Sequence, residues 1–189
     1  MPARSLNAAD APEGYRYEPD AVSAAEETRL LEEIAGMPFD DVVFRGVVAR
    51  RRVVHFGVRY DFERRGVDPG QPIPPAFVEL RERLAPLGDR PAERYEEVLL
   101  TEYRPGATIG WHRDAPYFGS TVLGLSLGSA CRMRFRRERA EGGWTRWERI
   151  LEPRSAYVLA GPARATWQHS IPPTPDLRYS ITFRTMRSR

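Results

Sequence analysis

From Glu97 onward the chain is a series of short β-type runs divided by turn signals. The runs are Val98–Tyr103, Thr121–Leu127, Arg132–Arg136, Trp147–Leu151, Ala156–Leu159, Thr166–His169 and Tyr179–Arg184. Strands this short and this regularly punctuated fold as a β-sandwich or jelly roll. The first half reads differently. Ser23 and Glu26 form a capping-box pattern ahead of Leu30, Leu31 and Ile34 at helical spacing, and Gly36 with Pro38 stops that helix. A second helix is expected from Pro75 through Phe77, Leu80 and Leu84 to Gly88, with Pro75 at its first position. Between them Val42–Tyr60 reads as two strands joined near Gly46–Arg51, and Asp61–Pro74 as a loop.

The expected class is α+β, mainly β: a jelly roll with N-terminal supporting helices. Residues 1–14 are expected as a flexible arm, 15–96 as the helical layer packed on the core, and 97–189 as the jelly roll. Together they make one compact domain. Its 189 residues, 41% of them hydrophobic, suffice for one core. The longest apolar runs are too short to cross a bilayer, and the first residues lack a signal-peptide pattern. A single cysteine, Cys131, excludes an internal disulfide framework and any paired-cysteine zinc or redox motif. The cytoplasm is the simplest compartment, and a monomer with no membrane attachment is expected. All 29 basic residues are arginine, against 26 acidic ones, for a net charge of +3. That balance mildly favours an anionic partner.

The chain has only three histidines, His55, His112 and His169. In His112-Arg113-Asp114 an imidazole and a carboxylate are two residues apart, and in an extended segment both point to one side. With His169 at the end of a later strand, they match the two-His, one-carboxylate triad of non-haem Fe(II) oxygenases. Three ligands on one face of an octahedron leave three positions open. The bland alternative is a turn capped by Asp114 and a packed, hydrogen-bonded His169. A second pattern bears on the choice. Arg178-Tyr179-Ser180-Ile181-Thr182-Phe183-Arg184 alternates strictly, with Arg178, Ser180, Thr182 and Arg184 on one face. Two arginines on a jelly-roll interior require an anion or water. Their Cα atoms are about 20 Å apart at roughly 3.3 Å per residue. They serve either opposite ends of a dicarboxylate region, or one ligand and one structural acid. A solvated edge strand is the alternative.

These motifs, in this order, resemble the AlkB-like family of Fe(II)/2-oxoglutarate dioxygenases. Tyr103, Pro105-Gly106, His112 and Asp114 match its Tyr–Gly–HxD segment. Ser126-Leu127-Gly128 fits the strand after it. Gly161, Arg164, Trp167 and His169 fit the segment around the distal histidine, and Arg178–Arg184 matches its Arg-x5-Arg signature. The match is clearest over residues 98–184. Arg51-Arg52-Val53 and Phe56–Tyr60 resemble the family's substrate-recognition lid more loosely.

The resemblance implies a double-stranded β-helix that uses Fe(II), 2-oxoglutarate and O2. His112, Asp114 and His169 would bind the metal. Arg178 and Tyr103 would hold the distal carboxylate of 2-oxoglutarate, and Arg184 would lie nearer the metal. Thr101 and Ser180 stand where many members carry asparagines that touch the co-substrate. The implied chemistry is oxidative decarboxylation of 2-oxoglutarate coupled to C–H hydroxylation, with formaldehyde shed from an N-methyl group. Family members act on alkylated DNA or RNA, and some on proteins. A single-stranded or flipped base would need aromatic partners. The candidates are His55, Phe56, Tyr60, Trp111 and Tyr117, with Phe62 and Phe118. Arg132–Arg137 alternates charge with apolar residues and reads either as a phosphate-binding stripe or as a solvated strand face. The competing functions are the same oxygenase chemistry on a protein side chain or small molecule, and a non-oxidative cupin-like metal- or ligand-binding module.

Overall fold

The structure is a computed structural model that describes residues 11–44, 46–61 and 66–187. The side chains at 44, 47, 59–61 and 66–69 lie outside the described set. So do most of the expected N-terminal arm, Phe62, and the side chain of Tyr60.

The strands are β1 (Tyr15–Glu18), β2 (Asp40–Phe44), β3 (Val47–Asp61), β4 (Gly66–Pro69), β5 (Tyr95–Tyr103), β6 (Ile109–His112), β7 (Phe118–Leu127), β8 (Cys131–Glu138), β9 (Trp144–Leu151), β10 (Ala156–Leu159), β11 (Gln168–Ile171) and β12 (Arg178–Met186). The helices are α1 (Ala24–Ala35), α2 (Pro75–Leu84) and α3 (Gly161–Ala165). An 8-stranded sheet runs β1-β10-β7-β12-β5-β3-β2, with β4 paired to β3. A 4-stranded sheet runs β6-β11-β8-β9. Every ladder is antiparallel, and the two sheets form the sandwich of a jelly roll.

α1 starts where the capping pattern puts it. The Ser23 hydroxyl accepts the Glu26 amide at 3.2 Å, and the Glu26 carboxylate accepts the Ser23 amide at 2.8 Å. Glu26 also pairs with Arg83 of α2, tying the helices together. Ser23→Ala should cost about 1 kcal/mol. At this chain length that lowers the thermal midpoint by about 2–4 °C, read by a calorimetric or circular-dichroism melt.

Leu30 and Ile34 of α1 and Phe77, Leu80 and Leu84 of α2 pack with Val54, Val98, Leu100, Ile181 and Phe183 from one face of the large sheet. The other face looks across at the small sheet, where Phe135, Met133, Trp147 and Leu151 form a second cluster with Tyr103 and Tyr157. The active-site residues described below occupy this inter-sheet space.

Two expectations are corrected. Asp61–Pro74 is not all loop: β4 pairs with Val58–Asp61 in a hairpin. Its Gly and Pro are compatible with an edge strand, where proline's missing donor is harmless. The strand expected at Thr166–His169 begins only at Gln168, because Gly161–Ala165 is a helical turn capped by Thr166. β1 and β6, four residues each, are too short to show a period. The β2–β3 hairpin turns at Gly46, which takes the left-handed φ of 77°. The division expected at residue 97 falls inside β5, which pairs with β3 on one side and β12 on the other. Among the described residues, no helix is long and apolar enough to cross a membrane.

Candidate active site

His169 on β11 and His112 at the end of β6 are directly paired across the small sheet, so their rings share its inner face. The ring centroids are 4.2 Å apart. His112 Nδ1 lies 2.9 Å from the Gly110 carbonyl. As donor there, Nδ1 leaves Nε2 free for a ligand. Asp114 follows two residues on, and its Oδ2 is 3.9 Å from His169 Nε2. The segment bearing it is clamped by Arg164, in the last turn of α3. Arg164 donates to the carbonyls of Asp114 at 3.2 Å and Ala115 at 3.0 Å. One ligand atom from each of His112, Asp114 and His169 lies within 4.8 Å of the others.

The electrostatics favour the protonation states a metal needs. Burial alone would raise the Asp114 pKa. The charge of Arg184 opposes it, helped by His169, Arg164 and His112, and holds Asp114 down at about 2. Burial, and then His112, push His169 down to about 3. At neutral pH the set is an ionised carboxylate with a neutral imidazole at His169. Two imidazoles and one carboxylate on one wall fit a single non-haem iron with open positions.

β12 supplies the floor. It is a central strand, between β5 and β7, so the edge-strand alternative does not apply. Its register sets Arg178 opposite Tyr103, Ser180 opposite Thr101 and Ser126, and Arg184 opposite Glu97. Directly opposed residues share a face, so these side chains form one polar strip. Gly124 leaves room on the same strip for Tyr157. A Cβ there would lie 2.2 Å from the tyrosine ring.

The two arginines are used differently. Arg184 donates to Asp114 Oδ1 at 3.2 Å and to Glu97 Oε2 at 3.1 Å. Glu97, 1% exposed, meets His55 Nδ1 at 3.0 Å through its other oxygen. Arg184 is thus held by two protein carboxylates, and a chain of four ionisable groups runs from the half-exposed His55 to Asp114. Arg178, fully buried, donates Nε to Ser126 Oγ at 3.0 Å, but its Nη1 and Nη2 have no partner. Tyr103 lies alongside, its ring centroid 5.0 Å from the guanidinium carbon. A buried guanidinium with two open nitrogens suits the forked capture of a carboxylate. Thr101 and Ser180, both buried, add short hydroxyls beside it.

The aromatic candidates separate. Phe56 is 5% exposed and packs edge-on against Phe77 in the helix-side core, so its ring is not offered to a ligand. Trp111 alternates with His112 and faces the outside of the small sheet, under Arg134 and Arg136. Arg136 is sandwiched between Trp111 and Trp144 and bonds Gln168, while Arg134 bonds Ser170. Arg137 lies over Trp167, its guanidinium carbon 5.1 Å from the ring centroid, so the Arg132–Arg137 stripe keeps three of its guanidiniums on the protein's own tryptophans. Tyr117 lies next to Phe118, whose ring sits under Arg184, and its carbonyl accepts the Arg187 amide at 3.0 Å. Sequence reasoning gave no role in the site to Glu97, Ser126 or Tyr157. Glu97 was within reach of it, because the alternation that aligns Arg184 with the inner face also aligns its cross-strand partner.

A jelly roll with one histidine–carboxylate–histidine wall facing a buried, half-free arginine defines a metal-dependent oxygenase that takes a carboxylate co-substrate. The chain belongs to the 2OG-Fe(II) oxygenase superfamily, whose family pattern matches residues 45–184. Its cofactor is accordingly Fe(II), with 2-oxoglutarate and O2 as co-substrates, and its enzyme class is dioxygenase.

Within that superfamily it is AlkB-like. It is 30% identical over 168 residues to the mouse tRNA (carboxymethyluridine(34)-5-O)-methyltransferase ALKBH8, covering 86% of this chain and 24% of that protein. It is 29% identical over 176 residues to the Arabidopsis thaliana alkylated DNA repair protein ALKBH8 homolog, covering 82% of this chain and 49% of that one. The chain thus spans about a quarter of the one relative and about half of the other. The solved structure of OsALKBH1 superposes with a TM-score of 0.71 at 15% identity, over 93% of this chain and 97% of that one, and shares the fold.

Proposed function

We propose that this chain oxidatively demethylates alkylated nucleobases in single-stranded RNA or DNA, releasing formaldehyde. The observation that carries the chemistry is the pairing of the His112–Asp114–His169 wall with the two open nitrogens of Arg178. Fe(II) held by that wall, with 2-oxoglutarate and O2, supplies an oxidant that hydroxylates a C–H bond and leaves succinate and CO2.

The chain's own groups do the rest. Arg178 and Tyr103 take the distal carboxylate of the co-substrate. Arg184 and Glu97 hold Asp114 ionised and oriented. Phe135, fully buried with its ring centroid 6.2 Å from that of His169, packs an apolar ring beside that imidazole. A hydroxylated N-methyl group loses formaldehyde without further help from the protein. Two relatives support the nucleic-acid substrate by their names, one a tRNA modifier and the other an alkylated-DNA repair protein. The positive net charge agrees with such a substrate.

The test is formaldehyde release by the iron-loaded protein from N-methylated single-stranded RNA and DNA, with unmethylated strands as controls. Formaldehyde from a methylated strand alone, matched by succinate, is the expected result. Succinate formed equally with and without any strand would redirect the search to proteins and small molecules.

A further inference from the structure

Beside the metal wall is a cavity of about 730 Å³ that shares Asp114 with it. Five arginines line it: Arg90 and Arg94 before β5, Arg113 and Arg164 around the triad, and Arg187 after β12. Asp114 is the only carboxylate among the described lining residues, and Arg184 already engages it at 3.2 Å. No described carboxylate is within ion-pair distance of Arg90, Arg113, Arg164 or Arg187. Arg90 reaches only hydroxyls, Ser120 at 3.1 Å and Thr121 at 3.5 Å. Arg164 is buried, spends its Nη atoms on backbone carbonyls, and leaves Nε without a partner.

So many positive charges converging on one wall, one of them buried with its Nε unpartnered, are costly without an anion. The co-substrate's distal carboxylate does not answer this need, because it has Arg178. The cavity volume suits a nucleotide unit rather than a lone small ion. Guanidiniums are also the donors best matched to phosphate oxygens.

We infer that this arginine-lined cavity is a phosphate site. It holds a backbone phosphodiester of the single strand whose base is presented to the metal. The inference rests on the nucleic-acid reading above and adds to it where the strand runs: from the metal wall past Asp114, between the β6–β7 connection and the segment ahead of β5. Phosphate contacts of this kind fix the register of a strand without reading its sequence.

The experiment is binding of a fluorescent, unmethylated single strand to the full chain by anisotropy, over a salt series. An abasic strand with the same phosphodiester backbone is run beside it. Arg90→Gln and Arg187→Gln each remove one charge from the cavity. Arg29→Gln, on the exposed face of α1, removes the same charge elsewhere. Arg164 is left intact because it clamps the Asp114 segment. Each cavity variant should bind both strands about fivefold more weakly at 0.1 M salt and lower the salt slope by about 0.7, the counterion release of one single-strand contact. Arg29→Gln should match the wild type, and thermal melts confirm that all variants fold.

Cavity variants with wild-type affinity and slope would overturn the phosphate site while leaving the nucleic-acid reading intact. A wild-type protein that binds neither strand at low salt would overturn both. Weakened binding of the base-containing strand alone would overturn the phosphodiester assignment, since the cavity would then be contacting bases.

Discussion

His169→Ala is expected to fold, to hold no stoichiometric Fe(II), and to lose all iron-dependent consumption of 2-oxoglutarate. His169 is one of the three residues, among those described, that are grouped to hold the metal, and it sits on the inner face of β11, opposite His112. Changing a residue that merely orients a metal ligand costs about 10–100-fold in metal affinity or activity, so loss of the ligand itself should exceed a hundredfold. The same follows for His112→Ala. His55, the third histidine, provides the contrast. Among the described residues it reaches the site through Glu97 and Arg184, so His55→Gln should still bind one iron per chain. The check is anaerobic iron loading followed by metal analysis. Equal iron retention by His169→Ala and His55→Gln would sink the assignment of the wall.

Arg178→Met should produce the other large effect, on the co-substrate rather than the metal. Removing one partner of a buried, hydrogen-bonded charge pair costs about 2–5 kcal/mol, so the 2-oxoglutarate Kd should rise at least about thirtyfold. Iron loading should be unchanged. The stability readout differs in sign from that of an ordinary core deletion. Before co-substrate binds, Arg178 is a buried charge with two unpaired nitrogens, and an apolar replacement of similar length relieves that cost. The ligand-free variant should therefore melt no lower than the wild type. The rise in melting temperature that saturating 2-oxoglutarate gives the wild type should disappear. An unchanged 2-oxoglutarate affinity would exclude Arg178 as the carboxylate partner.

The sequence made much of this architecture legible, for identifiable reasons. Ser23, Glu26 and Gly36 are local signals, and α1 begins and ends on them. The alternation over Arg178–Arg184 is period two, and β12 keeps it, with one irregularity only after Arg184. What alternation could not reveal was the partner of each side chain. Arg178 and Arg184 look equivalent in the sequence. Cross-strand register separates them, because it puts Glu97 opposite one and Tyr103 opposite the other. The aromatic candidates were the weakest readings for the same reason. Phe56 and His55 are neighbours on β3, yet strand pleating sends one into the helix-side core and the other toward Glu97. Four-residue strands such as β6 are fixed by their neighbours rather than by pattern. The arginine-lined cavity was hidden because its walls come from residues far apart in the chain, and no single run announces it.

The central claim is that one wall of two imidazoles and a carboxylate, with Arg178 beneath it, burns 2-oxoglutarate. The measurement that tests it most directly is succinate formation by the protein loaded with Fe(II) under anaerobic conditions and then exposed to O2 and 2-oxoglutarate, beside Asp114→Ala treated identically. The account predicts succinate from the wild type only when iron, O2 and 2-oxoglutarate are all present, and none above background from Asp114→Ala. Iron-loaded wild type that forms no succinate, or an Asp114→Ala protein that forms as much as the wild type, would contradict it.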